Sequence, residues 1–213
     1  MITRIVYVCE DAHQEGFLNG LKSRLECRAE ALRFRSRGTH LRRQDAQDAW
    51  EFALEQGAQL VVHLVDADEG NWRQVRKNEL DKYPPESHSQ LVCGVADATI
   101  EDWLCLDRRF FKERFGLPAE EFLPPKTKDR ADVLKGAMRR VRKSGQRPAD
   151  VVLRLVESLP AEVLREWRKD RSLEAFFTDC VNAARRADCP VRTQSESTSE
   201  GVCRGEDQDD VPA

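Results

Sequence analysis

The sequence predicts an α/β protein with a mainly parallel central sheet, helices on both faces of that sheet, and a helical C-terminal extension. Apolar runs of strand length alternate with amphipathic stretches of helical length through the first half of the chain, a pattern typical of right-handed βαβ crossovers. From Phe110 onward the pattern is helical only. Apolar residues make up 40% of the 213 residues, so the chain can build one sizeable core.

The N-terminal residues predict a strand, a helix and a second strand. Ile2 to Cys9 is rich in β-branched residues, which indicates a buried strand that ends at Glu10. Ala29 to Phe34 has the composition of a second strand. Between these two runs, apolar residues recur at helical spacing, namely Phe17, Leu18, Leu21 and Leu25.

Two more strands follow, each preceded by a helix. The stretch 41–56 has one apolar helical stripe, and Gly57 provides a C-terminal stop. Leu60 to Val65 is the clearest strand of the chain and leads directly into acidic residues. The remaining predicted elements of this half are a polar helix over 71–82, a strand over 91–96 and a helix that begins near Ile100.

The C-terminal half predicts helices followed by a disordered tail. Arg130 to Arg142 forms a basic helix, and shorter helical pieces separated by prolines reach about Ala187. From Ser195 onward the chain holds six acidic residues and one basic residue, with little to bury. We therefore expect an α/β core over 1–107, a helical extension with a basic segment over 108–190, and a disordered acidic tail over 191–213.

Neither a membrane protein nor a secreted disulfide protein is indicated. The apolar run from Leu60 to Val65 is far shorter than the roughly 20 residues that cross a bilayer, and the N-terminus begins a strand instead of a leader peptide. The seven cysteines are odd in number and lack CxxC spacing, which favours buried thiols and no zinc. The sequence thus predicts a cytoplasmic protein.

Acidic residues follow two of the predicted parallel strands. Glu10 ends the first strand, Asp66 follows the strand that begins at Leu60, and Asp68 stands two residues further on. Ligands of parallel sheets bind outside the carboxyl ends of the strands, and residues two apart in an extended chain point the same way. Because Mg²⁺ prefers carboxylate oxygens, we expect Glu10, Asp66 and Asp68 to share one divalent ion.

A simpler interpretation of these acids remains open. Acids that follow a strand commonly form turns or cap helices, which explains Asp66 and Asp68 on their own. The partner at Glu10 favours a metal site, because crowded like charges are unfavourable unless a cation neutralises them. Glu101 is equally ambiguous, since the helix dipole favours an acid in the first turn of any helix.

Three stretches resemble the Toprim domain of topoisomerases, primases and OLD-family nucleases. VYVCEDAHQEGFL resembles the Glu-Gly segment that opens many Toprim domains, with Asp11 in place of the usual glycine. LVVHLVDADEG resembles the DxD strand, and IEDWLCLD is similar to the Glu-containing helix start of the OLD-like branch. The resemblance covers about residues 1–107.

The resemblance implies a nuclease that hydrolyses phosphodiester bonds of DNA or RNA with Mg²⁺ or Mn²⁺. In that interpretation Asp66 and Asp68 hold one metal ion, and Glu10 binds it too or acts as a general base. Glu101 completes a second metal site. Lys126, in PPKTKD, matches a catalytic lysine that OLD-like nucleases carry after their Toprim acids, although a solvated loop lysine explains it as well.

Basic residues are concentrated after the proposed core. The net charge of −3 gives no overall case for nucleic acid, but residues 108–147 contain thirteen Lys or Arg against five Asp or Glu. A solvated helix face explains this cluster as well as contact with a phosphate backbone does. The predicted nucleic-acid contacts are Lys128, Arg139, Arg140, Arg142 and Lys143.

The sequence also bears on partners and on rival functions. It has no GxxxxGK[ST] loop, so an ATPase partner protein, as in bacterial anti-phage defence systems, is implied by the resemblance alone. The alternative function is a catalytically degenerate Toprim-like binding or regulatory subunit, motivated by Asp11. A nucleotide-sugar transferase would use the DxD but would leave Glu10 unexplained. A homo-oligomer remains among the alternatives.

Other candidate side chains are predicted to be structural. His13 is expected to be a surface histidine, and His63 a core histidine of the third strand. Trp50 and Trp103 lie on apolar stripes, which predicts burial instead of base stacking. Asp102 is expected to be an ordinary surface acid.

Overall fold

A computed structural model of the protein describes residues 2–35, 40–116 and 128–188, with side chains except at positions 108, 128–131, 187 and 188. The described chain contains one four-stranded, all-parallel sheet in the order β2-β1-β3-β4. The strands are β1 Arg4–Cys9, β2 Glu30–Arg35, β3 Leu60–Asp66 and β4 Leu91–Ala96. The predicted fold class, a parallel α/β sheet followed by helices, is confirmed.

Helices connect the strands and form most of the described C-terminal half. In the first half these are α1 Ala12–Arg24, α2 Arg43–Glu55, α3 Trp72–Leu80, a short 3-10 helix Pro85–Ser89, and α4 Ile100–Leu104. The second half contains α5 Arg108–Phe115, α6 Lys128–Val141, α7 Pro148–Glu157, α8 Ala161–Trp167 and α9 Arg171–Asp188. The predicted acidic tail, 191–213, lies outside the described residues.

Apolar clusters cover both faces of the sheet. Successive residues of a strand point to opposite faces, so each buried strand contributes side chains to both. On β1, Ile5 and Tyr7 belong to the larger apolar cluster, which also contains residues of α1 and α4. Val6 and Val8 belong to a second cluster with α2 on the other face. A third, smaller cluster packs α3 against β3 and β4. Trp50 and Trp103 are buried, as predicted.

The C-terminal helices share the larger core with the sheet. Phe17 of α1 packs against Trp103 of α4, Trp167 of α8 and Phe176 of α9, with ring centroids 5.6 to 6.4 Å apart. Helix α7 lies directly against α1. One continuous cluster therefore includes residues from both sides of position 107.

The described part of the chain contains no helix that is both long and apolar enough to cross a membrane. Five of the cysteines lie in described parts of the chain and all of them are free thiols, of which Cys9, Cys93 and Cys105 are buried. Free, buried thiols agree with the prediction from the cysteine pattern.

Candidate metal centre

The turn between β1 and α1 is held by hydrogen bonds from both sides. Asp11 is the N-cap of α1, and its Oδ1 accepts from the backbone N–H groups of His13 at 2.8 Å and Gln14 at 2.9 Å. Arg33 of β2 donates to the carbonyl oxygens of Glu10 and Asp11, each at 3.4 Å. These bonds satisfy the free donors of the first helical turn and fix the direction of the Asp11 and His13 side chains.

A second element brings Glu101 to the same place. Glu101 lies in the first turn of α4, directly after the carboxyl end of β4, and only 2% of the residue is exposed. Its Oε1 is 2.8 Å from Nδ1 of His13, which is a hydrogen bond between residues 88 positions apart. His13 is therefore part of the site and is not the surface histidine that the sequence suggested.

Asp11, His13 and Glu101 form a candidate metal centre. One ligand atom from each residue can be chosen so that all three atoms lie within 4.8 Å of one another. In the described ranges, this is the one such group of three or more His, Cys, Asp or Glu side chains. Two carboxylates and one imidazole suit a hard or borderline divalent ion such as Mn²⁺.

A cavity of about 270 Å³ opens beside this group. Asp11 and His13 form one wall, and Lys135 and Arg139 of α6 form another together with Arg142, which directly follows the helix. These three cations are spaced four and three residues apart, so their side chains lie on the same side of α6 near its C-terminal end. The cavity therefore combines candidate metal ligands with cations that suit an anionic ligand.

Electrostatics keeps Glu101 charged. Burial raises the pKa of the Glu101 carboxyl, but the hydrogen bond from His13 and the nearby Lys135 ammonium together lower it below its usual value. Lys135 Nζ is 3.5 Å from Glu101 Oε1. A carboxylate that remains ionised is the form that binds a cation.

Asp66 lies close by in the opposite protonation state. Burial, and then the negative charge of Glu101, raise the pKa of Asp66 to about 8, although the backbone N–H of Ile100 counteracts this. That N–H donates to Asp66 Oδ1 at 2.9 Å, so Asp66 helps to cap α4. The simpler interpretation of Asp66 as a helix cap therefore has direct support.

The structure separates the three acids that the sequence placed on one ion. Glu10 is exposed after β1, and Asp68 is exposed after β3. Strand β3 ends at Asp66 and Asp68 has φ of 50°, so the extended conformation that would align the two aspartates is not present. Glu10, Asp66 and Asp68 do not form a group of close ligand atoms among the described residues.

Gln14 occupies the space between the two predicted strand ends. Its Oε1 accepts from the backbone N–H of Glu10 at 2.9 Å, and its Nε2 is 3.5 Å from Asp66 Oδ1. The Gln14 side chain is buried. An amide thus links the loop after β1 to the end of β3 where the sequence predicted a metal ion.

The other predicted residues fall into three groups. Lys126 lies outside the described residues, and Lys128 begins α6 with a side chain that is not described. Arg139 and Arg142 line the cavity, whereas Arg140 and Lys143 are exposed and are not among its described lining residues. The prediction for Asp102 was wrong: it is buried because it closes a capping box with Thr99 at the start of α4.

Comparison of the chain with protein-family models, with curated proteins and with solved structures gave no match. The resemblance to Toprim domains therefore stays a prediction, as does the ATPase partner that it implies. The chemistry of the site rests on its own geometry.

Proposed function

We propose that this chain is a nuclease that binds Mg²⁺ or Mn²⁺ at Asp11, His13 and Glu101 and hydrolyses phosphodiester bonds of DNA or RNA. The observation that carries the proposal is that Asp11 and His13 of this group line one cavity together with Lys135, Arg139 and Arg142, with Glu101 behind them in contact with His13 and Lys135. Hydrolysis of a phosphodiester uses both metal ligands and cationic side chains, since a bound metal ion would polarise the phosphoryl oxygen and fixed cations neutralise the phosphate charge.

Each residue has a role in this proposal. Asp11 contributes its Oδ2 atom, because Oδ1 is used to cap α1, and this atom is 3.8 Å from Nδ1 of His13. Lys135 balances the charge of Glu101 until a cation arrives, and its ammonium is then free to contact phosphate. Arg139 and Arg142, at the open side, contact the nucleic-acid backbone. The free thiols support a cytoplasmic location.

A second candidate function uses no metal. The 2.8 Å contact between His13 and Glu101 also fits a general base held in place by a buried carboxylate. In this version His13 would take the proton of an attacking water, and Glu101 would stabilise the imidazolium. The degenerate binding or regulatory subunit predicted as an alternative would bind metal or nucleic acid without turnover.

The first experiment measures binding of Mn²⁺ by isothermal titration calorimetry. We expect one site per chain, with His13→Ala and Glu101→Gln each weakening binding by at least about tenfold, because each removes a ligand. Asp68→Asn is the matched control, since it removes an exposed carboxylate two residues beyond β3 and should leave binding unchanged. Loss of binding in Asp68→Asn with retention in His13→Ala would instead support the ligand set predicted from sequence, which contains Asp68 and lacks His13.

The second experiment tests cleavage of single- and double-stranded DNA and RNA with Mn²⁺ or with EDTA. We expect cutting that needs metal and that Glu101→Gln abolishes. Cutting in EDTA that is lost in His13→Ala would favour the metal-free base. Metal binding without any cutting would leave the binding or regulatory subunit.

Nucleic-acid binding measured in EDTA distinguishes the basic residues that line the cavity from the other basic residues at the end of α6. Arg139→Ala and Arg142→Ala should weaken binding and reduce its salt dependence, each removing about one phosphate contact. Arg140→Ala and Lys143→Ala, which lie outside the described cavity lining, should have smaller effects. Equal losses in all four variants would indicate a diffuse basic surface instead of a defined cavity.

A further inference from the structure

A second cavity, of about 410 Å³, lies toward the amino ends of β1 and β3, away from the metal centre. It is enclosed by the sheet, α1 and α9, and its walls include Ile5, Leu18, Val62, Phe176 and Cys180. Cavities of this size with mostly apolar walls are typical of small-molecule sites. The residues proposed for phosphodiester chemistry do not take part in it.

Large apolar side chains mark the mouth of this cavity. Leu25, which follows α1, is 67% exposed, and Val181 of α9 is 48% exposed. Both also line an adjoining cavity of about 490 Å³ between α1, α8 and α9. The two cavities therefore form one apolar cleft, called here the α1/α9 cleft, whose edges present apolar groups to solvent.

The charged residues of the α1/α9 cleft have one sign. Among the described residues that line it, the charged ones are all cations, namely Lys22, Arg24, Arg168 and Arg185. Lys22 and Arg24 donate to backbone carbonyls, and Arg168 is paired with Glu174. Among the residues whose side chains the structure describes, Arg185 has no hydrogen-bond or ion-pair partner, and its guanidinium lines both cavities, where it suits an anion.

We propose that the α1/α9 cleft binds a fatty acid of the length of dodecanoate. The alkyl chain occupies the cavity between the sheet and α9, and the carboxylate pairs with Arg185 at the rim. A second copy of this chain fits less well, because a symmetric contact would place the cations of one rim against those of the other. Nucleic acid would leave the apolar walls without a partner.

The test is calorimetric titration of the 213-residue chain with dodecanoate, below its micelle concentration and in EDTA. We expect one saturable site per chain with a negative heat capacity change, the marker of apolar burial. Leu25→Glu and Val181→Glu should abolish binding by placing a carboxylate at the mouth. Arg185→Glu should weaken it by about tenfold or more. Thermal unfolding checks that these exposed substitutions leave the fold intact.

Two controls make the result specific. Leu54→Glu places the same charge on an equally exposed apolar residue, 55% accessible, on α2, and should leave binding unchanged. Dodecyltrimethylammonium, with the same chain and the opposite charge, should bind at least about tenfold more weakly. Equal binding of this cation, no saturable binding of dodecanoate, or a dimer that Leu25→Glu dissociates would each overturn the proposal. Because Glu101→Gln should bind dodecanoate normally, this outcome is independent of the nuclease proposal.

Discussion

Asp66 and Glu101 are neighbouring carboxyl groups with opposite pKa shifts. Asp66 is held largely by neutral donors, the N–H of Ile100 and the amide of Gln14, and it faces the charge of Glu101. Glu101 has His13 and Lys135 beside it. The pair resembles enzyme sites in which two acids are tuned to different roles, one protonated and one ionised.

The raised pKa of Asp66 predicts a pH-dependent stability in the metal-free protein. Between the ordinary value of 3.8 and about 8, the folded protein keeps a proton that the unfolded chain releases. The free energy of unfolding should therefore fall as pH rises through this range, by up to about 1.4 kcal/mol per pH unit. Urea unfolding in EDTA from pH 5 to pH 8 measures this slope.

Asp66→Asn should flatten that profile and raise stability at pH 8, because the amide carries no charge and its oxygen still accepts from Ile100. Asp68→Asn is the control, since that side chain is exposed and its change should leave the slope as it is. Parallel profiles for the original protein and Asp66→Asn would show that Asp66 does not titrate in this range.

Residue patterns indicate the sheet edge at which the candidate centre lies, but only one of its three members. The carboxyl edge of the sheet and Glu101 follow from strand and helix signals. Asp11 and His13 do not, because their contact with Glu101 joins residues 88 positions apart and depends on how α4 packs on α1. One signal was present: an aspartate that follows a strand and precedes a helical pattern is a typical N-cap, which places Asp11 and His13 in the first turn after β1.

At the scale of elements, α1 and α7 pack unusually closely. A Cβ added at Gly16 would lie 2.3 Å from the carbonyl oxygen of Ala149, and one at Gly20 would lie 2.6 Å from Cβ of Val156. Real Cβ atoms do not approach backbone oxygens this closely. The two glycines of α1 therefore allow α7 to contact the helix backbone itself.

Gly16→Ala and Gly20→Ala should each lower the free energy of unfolding by about 1–3 kcal/mol, because the helices must separate. Gly136→Ala is the matched control in α6, where an added Cβ meets no atom within 4 Å. It should raise stability by about 0.5–1 kcal/mol through better helix propensity. Urea unfolding compares the three variants, and equal behaviour would contradict the close packing of α1 on α7.

Elements of regular periodicity were predicted well, and the turns between them less well. The four strands agree with their predicted runs within a few residues. β1, β3 and β4 are buried, and their β-branched residues fit that environment, whereas β2 is a partly exposed edge strand. The turn after Asp66 was expected to continue extended. A positive φ at Asp68 is a local backbone choice that no periodic pattern encodes.

For the molecule as a whole, the core is not confined to the first half of the chain. Leu134, Val152 and Trp167 belong to the same apolar cluster as Ile5 and Phe17. We therefore expect a chain ended after residue 107 to lose cooperative unfolding, since one face of the sheet would be exposed. A chain ended after residue 188 keeps all of these residues and should unfold cooperatively.

Tryptophan fluorescence during urea unfolding distinguishes the two truncated chains. A sharp transition in the 1–107 chain would instead support the predicted boundary as the edge of an independent domain. The fold class was predictable because alternating strands and helices leave few topologies. The docking of α7 and α9 was not, since helical periodicity gives the apolar face of a helix but not its partner.

The contact of α7 with the backbone of α1 has a consequence for how this protein can vary. Ala149 and Val152 of α7 contact Gly16 of α1, and α1 is also the helix that carries His13. Because Val152 approaches with its side chain, a larger residue there would push against α1 and move the imidazole relative to Glu101. Substitutions in α7, which contributes none of the three candidate ligands, can therefore change the geometry of the candidate centre. They would alter its affinity for a metal ion while the ligands themselves stay in place.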